Sequence, residues 1–157
     1  MEIKLEEKYL LLDPFLDNHP EIGLIYLFGS RASDQAGPLS DYDFALWVES
    51  MQDLMAYRLG LVHELAVLMG EPNIDLVILN EAPVELAYHI IAAGKLLYQR
   101  DISTRVEYEA NVLSLYGDYL PVLRAQRADI LEGGENDSRV QRYRTALGRI
   151  GRTVGAP

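Results

Sequence analysis

Residues 24–48 read LIYLFGSRASDQAGPLSDYDFALWV. An apolar strand runs into Gly29-Ser30, ten residues intervene, and a second apolar strand opens with Asp41-Tyr42-Asp43. Side chains alternate along a strand, so Asp41 and Asp43 share a face, roughly 6.5–7 Å apart along the backbone. That spacing lets both carboxylates reach a common pair of Mg²⁺ ions, which sit about 3.5–4 Å apart in two-metal sites. Gly29 and Ser30 supply a turn whose backbone N–H groups and hydroxyl can hold a phosphate at the start of a short helix. One side of the stretch is suited to a triphosphate and the other to the metals that activate it.

Each half alone is commonplace. A Gly-Ser after a strand is ordinarily a turn, and an Asp-x-Asp is ordinarily a solvated loop or a helix cap. Here Asp43 is followed by Phe-Ala-Leu-Trp-Val, so the pair stands at the mouth of a buried strand, where an unpaired carboxylate is costly. Two like charges so close also disfavour each other's ionisation unless a cation neutralises them. A metal is the simplest resolution, and G-S-x10-D-x-D between two apolar strands is far more specific than either half.

The chain of 157 residues is of ordinary single-domain size, with 49% apolar residues and no apolar run near the roughly 20 that span a bilayer. Its opening, MEIKLEEKYLLLD, carries acidic residues where a signal peptide would be positive, which argues for a cytoplasmic protein. There is no cysteine, hence neither disulfide nor Cys-ligated zinc. His19, His63 and His89 lack ligand spacing and are expected on helix surfaces or partly buried. Residues 1–99 carry 5 basic and 16 acidic side chains, a net of −11, against a net of +1 for the remainder. Such a surface repels nucleic-acid phosphate and argues against general DNA binding. Beyond Ser138 the sign reverses, with Arg139, Arg142, Arg144, Arg149 and Arg152 and no acidic residue among them. That composition reads as a solvated tail or as an arm for an acidic partner or RNA.

Alternating strands and helices argue for an α/β (α+β) protein. Helical periodicity runs from Ile3 to Leu16, with an interruption near Asp13-Pro14. Strands are expected at Ile22–Phe28, Asp41–Val48 and Asn73–Leu79, the second central and buried, with a short edge strand at Lys95–Gln99. Ser50 is suited to cap a helix from Met51 to Met69 that ends at Gly70. Pro83 fits the first turn of a helix to Ala93, stopped by Gly94. Ile102–Leu131 is a long helical stretch in which Gly117 and Pro121 are expected to bend or divide the helix. The domain is expected to cover 1–132, and an Arg-rich tail 133–157. No G-x-G-x-x-G follows any strand, which disfavours a doubly wound dinucleotide fold.

Gly29, Ser30, Asp41 and Asp43 match, position by position, the motif of the nucleotidyltransferase superfamily related to DNA polymerase β, which this chain resembles. More narrowly it resembles the minimal nucleotidyltransferases of the MNT type, antitoxins of HEPN/MNT toxin–antitoxin pairs. That likeness covers about 21–131 and rests on YLFGSRA with SDYDFAL, on NIDLVILNEAPVELAYHIIAAGKLLYQRD, and on RVEYEANVLSLYGDYLPVLRAQRADIL. It implies a short mixed sheet with helices on one side, as in the polymerase-β palm, plus a C-terminal helical stretch. It also implies a third carboxylate from the neighbouring strand, which is Asp75. Asp41, Asp43 and Asp75 would then hold two Mg²⁺ ions, with Asp75 also taking the proton of the attacking hydroxyl. Gly29 and Ser30 would hold the phosphates of ATP, and Arg31 would add charge at the leaving group or form a surface ion pair.

The compact part, ending near Gly133-Gly134, leaves little chain beyond a catalytic core. A large acceptor with its own docking surface therefore fits better than a small molecule. The resemblance implies a cognate HEPN RNase toxin as partner, neutralised by transfer of AMP from ATP to a tyrosine. The acidic surface would steer toward a basic RNase. Tyr108, Leu113, Leu115, Tyr116, Tyr119 and Leu120, at helical spacing, are expected in the core. Two other classes stand beside this reading: a binding antitoxin that blocks its partner by contact alone, and a small-molecule nucleotidyltransferase of the aminoglycoside-modifying kind.

Overall fold

The computed structural model describes residues 10–33, 35–37, 40–50 and 52–132. The elements are α1 (Leu12–Asn18), β1 (Ile22–Phe28), a 3₁₀ turn (Gly29–Arg31), β2 (Tyr42–Val48), α2 (Leu54–Met69), β3 (Ile74–Ile78), α3 (Val84–Ala93), β4 (Lys95–Gln99) and α4 (Ile102–Glu132). The strands form one sheet in the order β3-β2-β1-β4. β1 pairs antiparallel with both β2 and β4, and β2 pairs parallel with β3. The mixed sheet is the expected one. β2 lies inside it, as its apolar run requires, and β4 lies at an edge.

Both faces of the sheet are covered. On one, Ile25, Leu27, Phe44, Leu46 and Leu76 pack with Phe15 of α1 and with Leu61 and Leu65 of α2. On the other, Leu24, Tyr26 and Ala45 pack with Ile90 of α3, and Tyr108 of α4 joins them. The expectation of helices on one side is therefore corrected. A strand read with apolar residues at successive positions, as Leu24 to Phe28 are, needs cover on both faces. Tyr26 donates a hydrogen bond at 2.7 Å to Glu109, which ties β1 to α4 beneath that second layer.

Three local readings change. Ser50 does not cap α2; it takes a left-handed backbone conformation (φ 48°). Asp53 caps instead, accepting from the Ala56 amide at 3.0 Å, and the helix ends at Gly70 in the left-handed conformation expected of it. Pro14 sits in the first turn of α1, where a missing N–H costs nothing, so the helix continues to Asn18. The third concerns α4, a single helix from Ile102 to Glu132 with Pro121 inside it and no division at Gly117. The chain nonetheless separates into two compact units that divide between Tyr116 and Gly117. Leu113, Leu115 and Tyr119 are exposed (52%, 51% and 37%), so they are not core residues, whereas Tyr108, Tyr116 and Leu120 are partly buried. Tyr116 stacks on Tyr88 of α3, with ring centroids 3.8 Å apart. Residues 1–9, and the tail 133–157 with its five arginines, lie outside the described residues.

Gly94 joins α3 to β4 where two backbones nearly touch. A Cβ there would lie 2.5 Å from the Ile90 carbonyl oxygen and 3.0 Å from that of Leu27, and neither can step aside as a side chain could. Gly94→Ala is expected to destabilise the fold by about 1–3 kcal/mol, the scale of overpacking. Denaturant unfolding measures it; an unchanged midpoint would contradict this packing.

Candidate active site

The antiparallel register places Phe28, the last residue of β1, opposite Asp43 near the start of β2. Gly29 follows with φ 71°, a conformation that L side chains rarely adopt. A Cβ on Gly29 would also fall onto the Asp43 carboxylate. Glycine is thus required twice at this position, once by the turn and once by the carboxylate lying against it. The turn Gly29–Arg31 opens without a side-chain cap, which leaves its leading amides suited to an anion. The loop beyond it is pinned by Gln35 and Ser33, whose amide and hydroxyl both donate to the Ser30 carbonyl at 3.2 Å.

Arg31 closes the loop from the other side. Its Nε donates to the Ser40 carbonyl at 2.8 Å, and its guanidinium carbon lies 3.8 Å from the centre of the Tyr42 ring. Tyr42 in turn stacks near-parallel on Phe44 (ring centroids 6.0 Å apart). Arg31 therefore clamps the segment that carries Asp41 onto β2, a positioning role beside the charge role expected of it.

The parallel register sets Asp75 of β3 directly opposite Asp43. Residues paired in register point to the same face, so the two strands present their carboxylates side by side. Asp41 is exposed, two positions before Asp43. Burial pushes the Asp43 carboxyl above the usual aspartate range, and the charges of Asp75 and Asp41 push it further, while Arg31 pulls it back. The other two carboxylates of the expected site thus both act on Asp43. The three do not converge: among the described residues no three acidic or imidazole side chains gather closely enough to hold a metal ion. Asp75 is 62% exposed and turned along its own strand, its Oδ1 accepting from the Leu76 amide at 2.8 Å and lying 3.5 Å from Nη2 of Arg58.

The donor set fits a hard divalent cation: three carboxylates with no soft ligand. The raised Asp43 carboxyl points the same way, because the site gains from added positive charge. Closing a three-carboxylate shell requires Asp75 to leave Leu76 and Arg58. Sequence reasoning missed Arg58, which lies 17 positions from Asp75, a separation that carries no pattern. It also missed Asn80, whose side-chain amide pairs with both backbone groups of Val48 (3.0 and 2.8 Å) and so extends the sheet past β3.

The sequence profile of the polymerase beta nucleotidyltransferases matches residues 12–103. The protein adenylyltransferase MntA of Shewanella oneidensis is 30% identical over 116 residues, 74% of this chain and 78% of MntA. A chain of a toxin–antitoxin complex crystallised with AMP-PNP superposes with a TM-score of 0.67 at 28% identity, covering 81% of this chain and 98% of that one. Another, from the complex of tri-AMPylated Shewanella oneidensis HEPN toxin with MNT antitoxin, gives 0.62 at 25% identity, covering 79% and 98%.

Because Asp43 holds its proton more tightly folded than unfolded, ionising it costs folding free energy. That cost is absent below the ordinary aspartate value of about 4 and complete once the pH has risen past the raised one. In metal-free buffer Asp43→Asn is therefore expected to melt higher than wild type at pH 7, the gain vanishing as the pH falls below about 4. A variant that melts lower at pH 7 would contradict the electrostatics described here.

Proposed function

The chain belongs to the polymerase beta nucleotidyltransferase family, as an MNT-type member, and on that premise we propose that it is an adenylyltransferase antitoxin. Its substrate is ATP, its acceptor is a tyrosine of a cognate HEPN-type RNase toxin, and the product is the AMP-modified, neutralised toxin. The observation that carries the reading is the register placing Asp43 opposite both Phe28 and Asp75, with Gly29 against its carboxylate. It sets an anion-binding turn and paired carboxylates at one end of the same sheet. MntA, by name a protein adenylyltransferase, and the AMP-PNP and AMPylated-toxin complexes support the chemistry and the kind of partner.

The reaction joins the tyrosine oxygen to the α-phosphorus and breaks the bond from that phosphorus to the bridging oxygen of pyrophosphate. The amides of the Gly29–Arg31 turn and the Ser30 hydroxyl hold the departing phosphates, so that the leaving group lies opposite the attacking oxygen. Asp41 and Asp43 would hold the cation that accompanies the triphosphate, and Asp75 would join them at a second. Bound there, Mg²⁺ supplies neutralisation of the phosphate charge and a lowered pKa for the attacking hydroxyl. Asp75, exposed on β3, takes the tyrosine proton. Arg31 keeps the loop closed on β2 through Ser40 and Tyr42. Catalysis is mostly positioning and charge placement, as phosphoryl-group transfers require.

Among the described residues no helix is long and apolar enough to cross a membrane, and we place the reaction in the cytoplasm. The net charge of −11 over residues 1–99 suits a partner that binds RNA phosphate and must itself be basic there. A phosphorylated adenosine on its tyrosine adds negative charge where RNA would bind.

With α-labelled ATP, Mg²⁺ and the partner toxin, label is expected to move to the toxin. Asp41→Asn and Asp43→Asn are each expected to lower transfer by a factor on the order of 100 or more with the fold intact. A stoichiometric complex that inhibits the toxin without transferred label would replace this reading with neutralisation by contact. Turnover of a free small alcohol without any protein partner would replace it with a small-molecule transferase.

A further inference from the structure

Leu76 lies in β3, an edge strand of the sheet, and both of its backbone groups are engaged by side chains. Its amide donates to Asp75 Oδ1 at 2.8 Å, and its carbonyl accepts from Arg58 Nε at 2.6 Å. The second bond fixes the guanidinium of Arg58, on α2, with Nη2 3.5 Å from Asp75 Oδ1. A positive charge is thus anchored, by a bond to backbone, beside the one carboxylate of the three that does not stand in β2 or just ahead of it.

We propose that Arg58 is a built-in counter-ion that holds Asp75 and competes with the divalent cation for its carboxylate, setting how much metal the site needs. The proposal rests on the reading above that makes Asp75 a metal ligand. Asp75 stands in register opposite Asp43, and two like charges so placed are relieved either by a bound cation or by a cationic side chain. Arg31 gives its Nε to Ser40 and lays its guanidinium over the Tyr42 ring, on the β1–β2 side. Arg58 serves the β3 side, and it can let go of Asp75 cheaply. Both partners are well exposed, 48% for Arg58 and 62% for Asp75, and exposed ion pairs are weak. Its bond to the Leu76 carbonyl does not depend on Asp75, so the guanidinium stays in place when the carboxylate swings toward the metal. Arg58 is a positioning residue: it acts through Asp75.

Mn²⁺ titrated into the full chain holding AMP-PNP, with free ion read by electron paramagnetic resonance, tests this without any turnover. Arg58→Gln keeps a donor for the Leu76 carbonyl and removes the charge, and it is expected to bind Mn²⁺ roughly two- to fivefold more tightly, the scale of an exposed ion pair. Arg58→Ala is expected to show the same tightening, and Arg58→Lys to behave as wild type. Combining Arg58→Gln with Asp75→Asn removes the carboxylate over which the two cations compete, so the difference between Gln and Arg at position 58 is expected to disappear. Should Asp75→Asn weaken Mn²⁺ binding while Arg58→Gln and Arg58→Ala leave it unchanged or weaker, the counter-ion proposal fails and Asp75 stands as a ligand. Should Asp75→Asn leave Mn²⁺ binding unaltered, both fail together.

Discussion

The carboxylate of Asp43 lies against the α-carbon of Gly29, and the remainder of the site is arranged around that approach. It is possible only because position 29 has no Cβ and accepts a positive φ. The approach in turn requires β1 and β2 to be antiparallel in the register that pairs Phe28 with Asp43. A shift of one residue would turn Asp43 into the opposite layer and carry Tyr42 and Phe44 out of theirs. Because both layers are filled, by α1 and α2 on one face and by α3 and α4 on the other, the core enforces the register that the site needs.

Such a site opposes the stability of the fold that carries it. Burial and the two neighbouring carboxylates raise the energy of ionised Asp43, and two arginines tied to backbone carbonyls stand beside the acids: Arg31 to Ser40, Arg58 to Leu76. Both are held by neighbours other than the carboxylates they face, so they moderate the repulsion without filling the space between the acids. On the proposed reading, this keeps room for a more highly charged ion, at a cost that the core offsets.

Much of this was legible in the primary structure. β1 and β4 fall on the spans read from it, and β2, β3 and α3 within a residue or two, because their apolar runs end at glycine, proline or aspartate. The placement of Gly29 and Ser30 beside Asp41 and Asp43 was legible because their spacing is local to one hairpin-like unit. The two-sided cover of the sheet was not, since an apolar run shows that a face is buried but not what lies on it. Ser50 reads as the cap because it precedes a helical pattern, whereas Asp53, three residues on, offers the carboxylate that reaches Ala56. Pro121 within α4 reads as a break by intrinsic preference, and the helix continues through it. Arg58 and Asn80 belong to contacts made across the sheet edge, between positions far apart in the chain, and no local pattern marks such partners.

The arrangement stands or falls on whether Asp75 turns from Arg58 toward the two aspartates of β2 when substrate is present. Anomalous diffraction from crystals of the chain grown with AMP-PNP and Mn²⁺ measures this directly. Two peaks are predicted, one bound by Asp41 and Asp43 and a second shared with Asp75. Density for bound nucleotide with no ion at Asp75, and its carboxylate still on the Leu76 amide, would contradict the account.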